Sequence, residues 1–277
     1  MKQVIHTCLF VSALIFSSFT LFKAPSGTVK IKVETPMGNI VAVLYDETPL
    51  HRDNFLKNIK EGVYNNLLFH RCIQEFMIQG GDPGSREAKP GQVLGNGGLN
   101  YTVPAEFRKE HFHKKGALAA ARMGDDVNPH KASSSTQFYI VQGKVFEDNV
   151  LTMMEERNNQ QIRNAIFNEI LQRPENAEML KEAIAASQKG DQAKIQEIVT
   201  KLTPAIEEEF AKRKFSFSPE QRKAYTTTGG APHLDGAYTV FGEVIEGLDV
   251  IDKIAAEKTD GNSRPLNDIR FSISIVQ

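Results

Sequence analysis

Between residues 144 and 225 the chain stops reading as strand. On either side of that segment, apolar and polar residues alternate in short runs separated by Gly, Pro and Asn. Within it, Ala, Glu, Gln and Lys dominate, and apolar residues recur at every third or fourth position. A period near 2 places side chains on alternate faces of a strand, whereas a period near 3.6 places them along one helix face. The chain therefore reads as a β framework, 28–143 and 226–277, interrupted by a helical insertion at 144–225.

The framework begins as a hairpin. Val29, Ile31 and Val33 alternate, Pro36-Met37-Gly38 turns the chain, and the apolar run Ile40–Tyr45 returns. Further strand-like runs lie at 64–71, 73–79, 116–121, 136–142, 238–245 and 269–276. Two helices stand among them. Thr48 is read as the N-cap of the first and Pro49 as its first residue, with Phe55, Leu56 and Ile59 on one face and Gly62 as the stop. The second fits 247–256, with Leu248, Ile251 and Ile254 aligned. Short strands, Gly-rich connections and two isolated helices predict a barrel or sandwich rather than a parallel α/β sheet.

In the insertion, Pro174 and Gly190 bracket a helix carrying Met179, Leu180, Ala183 and Ile184. Asp191 is the expected N-cap of another, striped by Ile195, Ile198, Val199 and Leu202. Pro204 is expected to interrupt it, with Ile206 and Phe210 opening a separate stretch. Ser218-Pro219-Glu220 reads as a further helix start. Such stripes are the inner faces of a small bundle.

Composition excludes several classes. Lys+Arg number 33 against 34 Asp+Glu in 277 residues, with no long basic run, which argues against nucleic acid as the main partner. Two cysteines exclude a disulfide-dense scaffold and a four-cysteine zinc module. Met1-Lys2 followed by the largely apolar stretch from Val4 to Phe22 reads as a secretory signal over residues 1–24, and the expected location is exported, in the periplasm. An uncleaved membrane anchor is the alternative, and it is barely long enough to span a bilayer. After export Cys72 is the only cysteine left, so no internal disulfide can form.

The densest unusual string is Phe69-His70-Arg71-Cys72-Ile73-Gln74-Glu75-Phe76-Met77-Ile78-Gln79-Gly80-Gly81-Asp82. Gly116-Ala117-Leu118-Ala119-Ala120-Ala121-Arg122 and Ser135-Thr136-Gln137-Phe138-Tyr139-Ile140 follow it. Beyond the insertion stand Pro232-His233-Leu234-Asp235-Gly236 and Tyr238-Thr239-Val240-Phe241-Gly242-Glu243-Val244. Together, in this order and spacing, they resemble the cyclophilin family of peptidyl-prolyl cis/trans isomerases, in its bacterial exported branch.

That resemblance implies a mainly β fold: an eight-stranded antiparallel barrel capped by two helices, with a prolyl pocket on its outer surface. It implies that Arg71 is the catalytic arginine. Phe76, Met77 and Leu234 would floor the proline pocket, and Gln79 and Gln137 would hydrogen-bond the substrate backbone. Ala121-Arg122 would offer it main-chain groups. Tyr139 stands where the family usually has Phe, Tyr238 where animal members often have His, and His233 where many have Trp. The implied chemistry requires no nucleophile, general base, metal or cofactor, and the implied partners are proline-containing polypeptides.

Other candidates read more plainly. His111 and His113 are expected in a solvated, charged loop rather than at a metal. His70 alternates to the face opposite Arg71 and is expected to be a satisfied core histidine, with Cys72 as inert packing beside it. Asp82-Pro83-Gly84 and Gly95-Asn96-Gly97-Gly98 read as turns, since neither follows a strand and opens a helix. Glu207-Glu208-Glu209 and Lys212-Arg213-Lys214 read as a solvated helix face joined by i,i+4 pairs.

The leading functional expectation is an isomerase that acts on unfolded or extended exported polypeptides. A second is a cyclophilin-like chaperone or scaffold whose insertion binds clients, or dimerises, with minor isomerase activity. A third, a barrel holding an apolar ligand in its interior, conflicts with Phe-rich runs that would fill it.

Overall fold

A computed structural model describes residues 29–276. The signal or anchor expected at 1–24 lies outside the described residues. Among those described, no helix is long and apolar enough to cross a membrane.

The hairpin forms as the alternation dictates: β1 (Lys30–Thr35) pairs with β2 (Gly38–Leu44), burying Ile31, Val33, Ile40, Ala42 and Leu44. The remaining framework strands are β3 (Leu67–Leu68), β4 (Arg71–Ile73), β5 (Met77–Gly80), β6 (Thr102–Val103), β7 (Ala117–Ala120), β8 (Ser133–Ser134), β9 (Phe138–Val141), β10 (Val240–Glu246) and β11 (Arg270–Val276). Nine of the eleven strands form one antiparallel sheet in the order β3-β11-β1-β2-β10-β7-β9-β5-β4, while β6 and β8 make a separate ribbon. The two ends of the order, β3 and β4, are successive pieces of the single stretch 67–73. Counted once, that stretch leaves eight strands, and the sheet closes through it into an antiparallel barrel.

The barrel interior is filled rather than open. Phe55, Tyr64, Phe69, Phe138 and Phe271 are each at most 3% exposed and meet ring to ring at 4.6–5.8 Å. Burying one such side chain contributes about 2–3 kcal/mol, so this cluster is a principal source of barrel stability.

Several expectations are corrected. The strand expected at 64–71 is shorter, because 62–66 is turn, and the one expected at 73–79 begins only at Met77, after a tight turn in which Glu75 has φ 60°. Helix α1 (Pro49–Lys60) starts at Pro49, but Thr48 makes no side-chain cap. The Glu106 carboxylate takes that place, accepting the Leu50 and His51 N–H groups at 3.1 and 3.0 Å. In α6 (Leu248–Ala255), Val250, Ile251 and Ile254 are buried and Leu248 is exposed.

The insertion holds α2 (Asp148–Leu171), α3 (Ala177–Lys189), α4 (Gln192–Arg213) and α5 (Pro219–Thr227). Gly190 ends α3 in the left-handed region at φ 68°, and the Asp191 side chain caps α4 by accepting from Lys194 N–H. Pro204 does not interrupt α4. A helix-interior proline costs about 3 kcal/mol, yet Ile198, Leu202, Ile206 and Phe210 form one unbroken i,i+4 stripe, buried against Ile166 and Ile170 of α2. That packing carries the helix across the proline. Ser218 caps α5 in a reciprocal capping box with Gln221. On the outer face Lys212 pairs with Glu208 and Glu209, as expected, whereas Glu207 and Arg213 reach across to Arg163 and Glu169 of α2.

The insertion leaves and re-enters the barrel through a narrow neck. Lys144 and Gly230 exchange backbone hydrogen bonds of 3.2 and 3.0 Å. A Cβ on Gly230 would fall 2.3 Å from the His113 carbonyl oxygen, so only glycine fits there.

Candidate active site

Strand register builds the site. In the β4–β5 pair Arg71 lies opposite Gln79, and in β5–β9 Gln79 lies opposite Tyr139. Tyr139 in turn lies opposite Ala119 of β7. Because alternate residues share a face, this row points outward while Cys72, Ile78 and Phe138 point into the barrel core. The outward face carries its own apolar cluster, with Met77, Ala119, Ala121 and Tyr139 buried and Phe76, Leu234 and Tyr238 packed against them.

Arg71, Phe76, Met77, Gln79, Ala121, Arg122, Tyr139, Leu234 and Tyr238 line one pocket of about 120 Å³. That is well below the volume a drug-sized ligand needs and suits a single small side chain. Gln137 lies next to it, bonded to Gln79. His233 lies at its edge, exposed, with its ring 5.4 Å from that of Phe76.

A directed chain of hydrogen bonds positions the arginine. Asp82, 2% exposed, accepts the N–H groups of Gly84, Gly95 and Gly97 at 2.8, 2.7 and 3.2 Å and so shapes the turn at 95–97. The carbonyls of Gly95 and Gly97 accept both N–H donors of the Gln137 amide at 2.8 and 2.7 Å. Its oxygen then accepts from Gln79 Nε2 at 3.1 Å, and Gln79 Oε1 accepts from Arg71 Nη1 at 3.3 Å. Both amides are thereby oriented without ambiguity. Met77 Sδ lies 3.9 Å from Arg71 Nη1, and the Phe76 ring centroid 5.9 Å from the guanidinium carbon. Among the described residues, the side-chain partners of Arg71 are a thioether and an amide, so its charge is not matched by a carboxylate.

Arg122 is held differently. Its guanidinium donates to the Ala237 and Met123 carbonyls and to Asp125, and lies 4.4 Å from the Tyr238 ring centroid. The main-chain groups of Ala121 are already paired: its N–H donates to the Gln137 carbonyl at 3.0 Å and its carbonyl accepts from the Ser134 N–H at 2.8 Å, so the pair Ala121-Arg122 does not present the free main-chain groups at Ala121 that the resemblance implies.

His113 is not in a solvated loop. Its side chain is 1% exposed, with Nδ1 2.9 Å from Asp235 Oδ1 and Nε2 3.0 Å from the Tyr139 hydroxyl. A carboxylate only accepts, so Nδ1 carries a hydrogen, and Nε2 shares a second bond with the Tyr139 hydroxyl. Burial pushes the Tyr139 phenol well above its ordinary range, which keeps that hydroxyl a donor. The polar end of Tyr139 is thus occupied, and its ring serves the pocket as a phenylalanine would. Asp235 Oδ2 accepts from Tyr225 of α5 at 2.6 Å and from Gln221 Nε2 at 3.3 Å. Sequence reasoning does not find His113 and Asp235 as site residues, because His113 meets its partners 26 and 122 positions away and no local signal marks them. His111 instead stacks on Tyr45 at 3.8 Å.

His70 is buried but not satisfied: neither ring nitrogen has a partner among the described residues. Burial pushes its pKa down to about 4 and that of the Cys72 thiol up to about 12, so both are neutral at physiological pH. Among the described residues, no group of three or more His, Cys, Asp or Glu is placed to hold a metal ion.

The sequence matches the model of the cyclophilin type peptidyl-prolyl cis-trans isomerase family over residues 28–203 and 220–274. A Staphylococcus saprophyticus protein named "Putative peptidyl-prolyl cis-trans isomerase" is 33% identical over 254 residues, which cover 90% of this chain and 92% of that one. A Staphylococcus epidermidis protein of the same name is 27% identical over 242 residues, covering 87% of this chain and 88% of that one. Among solved structures, a cyclophilin type isomerase of Cryptosporidium parvum superposes with a TM-score of 0.52 at 19% identity, covering 91% of this chain and 99% of that one. The same Cryptosporidium protein, crystallised in the presence of the dipeptide Ala-Pro, gives 0.51 at 18%, covering 90% and 99%. The fold is that of these isomerases. The chain belongs to the cyclophilin type family of these enzymes.

Proposed function

We propose that the protein accelerates X–Pro rotation in extended, proline-containing polypeptides after its own export, with Arg71 as the catalytic residue. The observation that carries this reading is Arg71 at the rim of an apolar pocket the size of one small side chain, its charge unmatched by any carboxylate among the described residues.

Rotation about the peptide bond faces a barrier of about 18–20 kcal/mol because amide resonance must be broken. In the twisted state the prolyl nitrogen regains its lone pair and becomes an acceptor. A guanidinium donor aimed at that nitrogen binds the twisted state better than the planar amide, and only such a difference lowers the barrier. Phe76, Met77 and Leu234 hold the ring while the other side of the bond turns. Gln79 holds Arg71, and the Asp82–Gln137–Gln79 chain holds Gln79. None of these steps transfers a proton or forms a covalent bond.

Export is supported by the apolar stretch from Val4 to Phe22 that follows Met1-Lys2. Two experiments test the reading. Isomerisation of Ala-Pro peptides by the purified protein should show saturable catalysis, and the absence of any acceleration would defeat it. N-terminal sequencing of protein from fractionated cells should find a mature chain beginning after residue 24 outside the cytoplasm, and an intact cytosolic chain would defeat the export part.

A further inference from the structure

Gln79 borders three cavities: the proline pocket, a groove running past Leu99 and Met123, and a third cavity of about 260 Å³ on the far side of Arg71. Arg71 is shared by the first and third, so a polypeptide with its proline in the pocket passes directly beside the third. We propose that this third cavity is a substrate subsite that takes a neutral side chain able both to donate and to accept a hydrogen bond, that of Ser, Thr, Asn or Gln, with His70 as the recognising residue. The proposal rests on the assignment of the proline pocket above.

His70 supplies the main argument. It is 4% exposed, lines the cavity, and has no partner on either ring nitrogen among the described residues. Buried polar groups are otherwise almost always paired, so an imidazole in this state is an available binding group. With its pKa near 4 it is neutral at physiological pH and presents one donor and one acceptor. Gly95 packs beside the ring at the cavity wall. A Cβ there would come within 3.4 Å of Nε2, so glycine keeps the approach to that nitrogen clear.

The surrounding charges select for neutrality. Arg264, 5% exposed, is locked by three bonds to Asp268 at 3.1, 2.8 and 3.0 Å and by donation to the Lys89 and Gln92 carbonyls at 3.0 and 2.9 Å. Asp260 is likewise held, accepting the Asn262 and Arg264 N–H groups at 2.8 and 3.0 Å. Arg264 is thus matched by Asp268, whereas Asp260 is held by backbone N–H groups and has no cation beside it among the described residues. Arg71 remains cationic and repels Lys or Arg side chains, while its donors are directed toward the prolyl nitrogen.

The test is a series of short peptides with one proline, in which each of the two positions before and after it is varied singly through Ala, Leu, Ser, Asn, Asp and Lys. At one of these positions, Ser and Asn should raise kcat/KM over Ala and Leu by about tenfold, the size that one or two net hydrogen bonds give. In His70→Leu that ratio should fall to about one, whatever the absolute rate. Because a buried substitution can unfold the protein, a second measurement uses the wild type: the ring ¹⁵N signals of His70 should shift with the Ser or Asn peptide and not with its Ala counterpart. Three results would overturn the subsite: no preference at any position, a preference that survives in His70→Leu, or ring signals indifferent to the side chain. Failure to turn over any peptide would instead defeat the proline-pocket assignment.

Discussion

The Nε2 nitrogen of His113 lies 3.0 Å from the hydroxyl of Tyr139, and both side chains are buried. This bond engages the tyrosine's polar end and leaves its ring to line the pocket shared with Arg71 and Leu234. Tyr139→Phe should therefore preserve the pocket surface and keep isomerisation of the same order. It should also strand His113 Nε2 and lower unfolding stability by about 1–3 kcal/mol. Urea denaturation beside a peptide assay measures both, and a stability equal to wild type would contradict the bond.

The same network reaches the insertion. Asp235 joins His113 on one oxygen and Tyr225 of α5 on the other. Asp235→Asn and Tyr225→Phe share that bond, so their costs should not add. The double variant should show a coupling of about 0.5–3 kcal/mol in unfolding free energy. Additive losses would mean that the carboxylate does not join barrel to insertion.

How far the sequence reveals this architecture depends on whether the determining contacts are local. Arg71, Phe76 and Gln79 sit in one short string, and strand alternation places Arg71 and Gln79 on a common face, so their meeting at one pocket is legible locally, whereas Tyr139, Leu234 and Tyr238 join them from distant segments. The Glu106 cap of α1 is not, because the carboxylate comes from a segment 56 positions beyond Leu50 and displaces the local candidate Thr48. Glu110, Lys114 and Lys115 surround His113 in sequence and point to a solvated loop, whereas the neck at Gly230 folds over it. Alternation places His70 opposite Arg71 as a satisfied core histidine, whereas it lines the same cavity as Arg71 and is unpaired among the described residues, because the segments at 92–96 and 260–264 fold over it from outside the barrel.

The buried state of His70 also sets a pH dependence. Its pKa is about 4 in the folded protein against 6.5 ordinarily. Between those values the unfolded chain binds a proton that the folded chain refuses, so stability falls as pH drops from about 6.5 to 4. The loss amounts to up to about 3 kcal/mol. Unfolding curves at stepped pH should show this slope and His70→Leu should flatten it. An identical slope in the variant would contradict a neutral, buried His70.

Pro204 offers a test of packing against propensity. Since the stripe from Ile198 to Phe210 holds α4 together across it, Pro204→Ala should restore a backbone donor and stabilise the protein by about 1–3 kcal/mol. Helix α4 packs on α2 and α3 and contributes no residue to the pocket around Arg71, so peptide isomerisation should be unaffected. A destabilised variant would show that the proline is required by the bundle.

The central claim is that Arg71 lowers the rotation barrier by donating to the prolyl nitrogen. The most direct measurement is kcat/KM for cis/trans isomerisation of an Ala-Pro peptide by Arg71→Ala, beside its circular dichroism and unfolding curve. Removing one such preorganised donor is expected to cut kcat/KM by about 10²–10³, with the spectrum and cooperative unfolding retained, because Arg71 lies outside the barrel core. A correctly folded Arg71→Ala protein that isomerises the peptide at the wild-type rate would contradict the account.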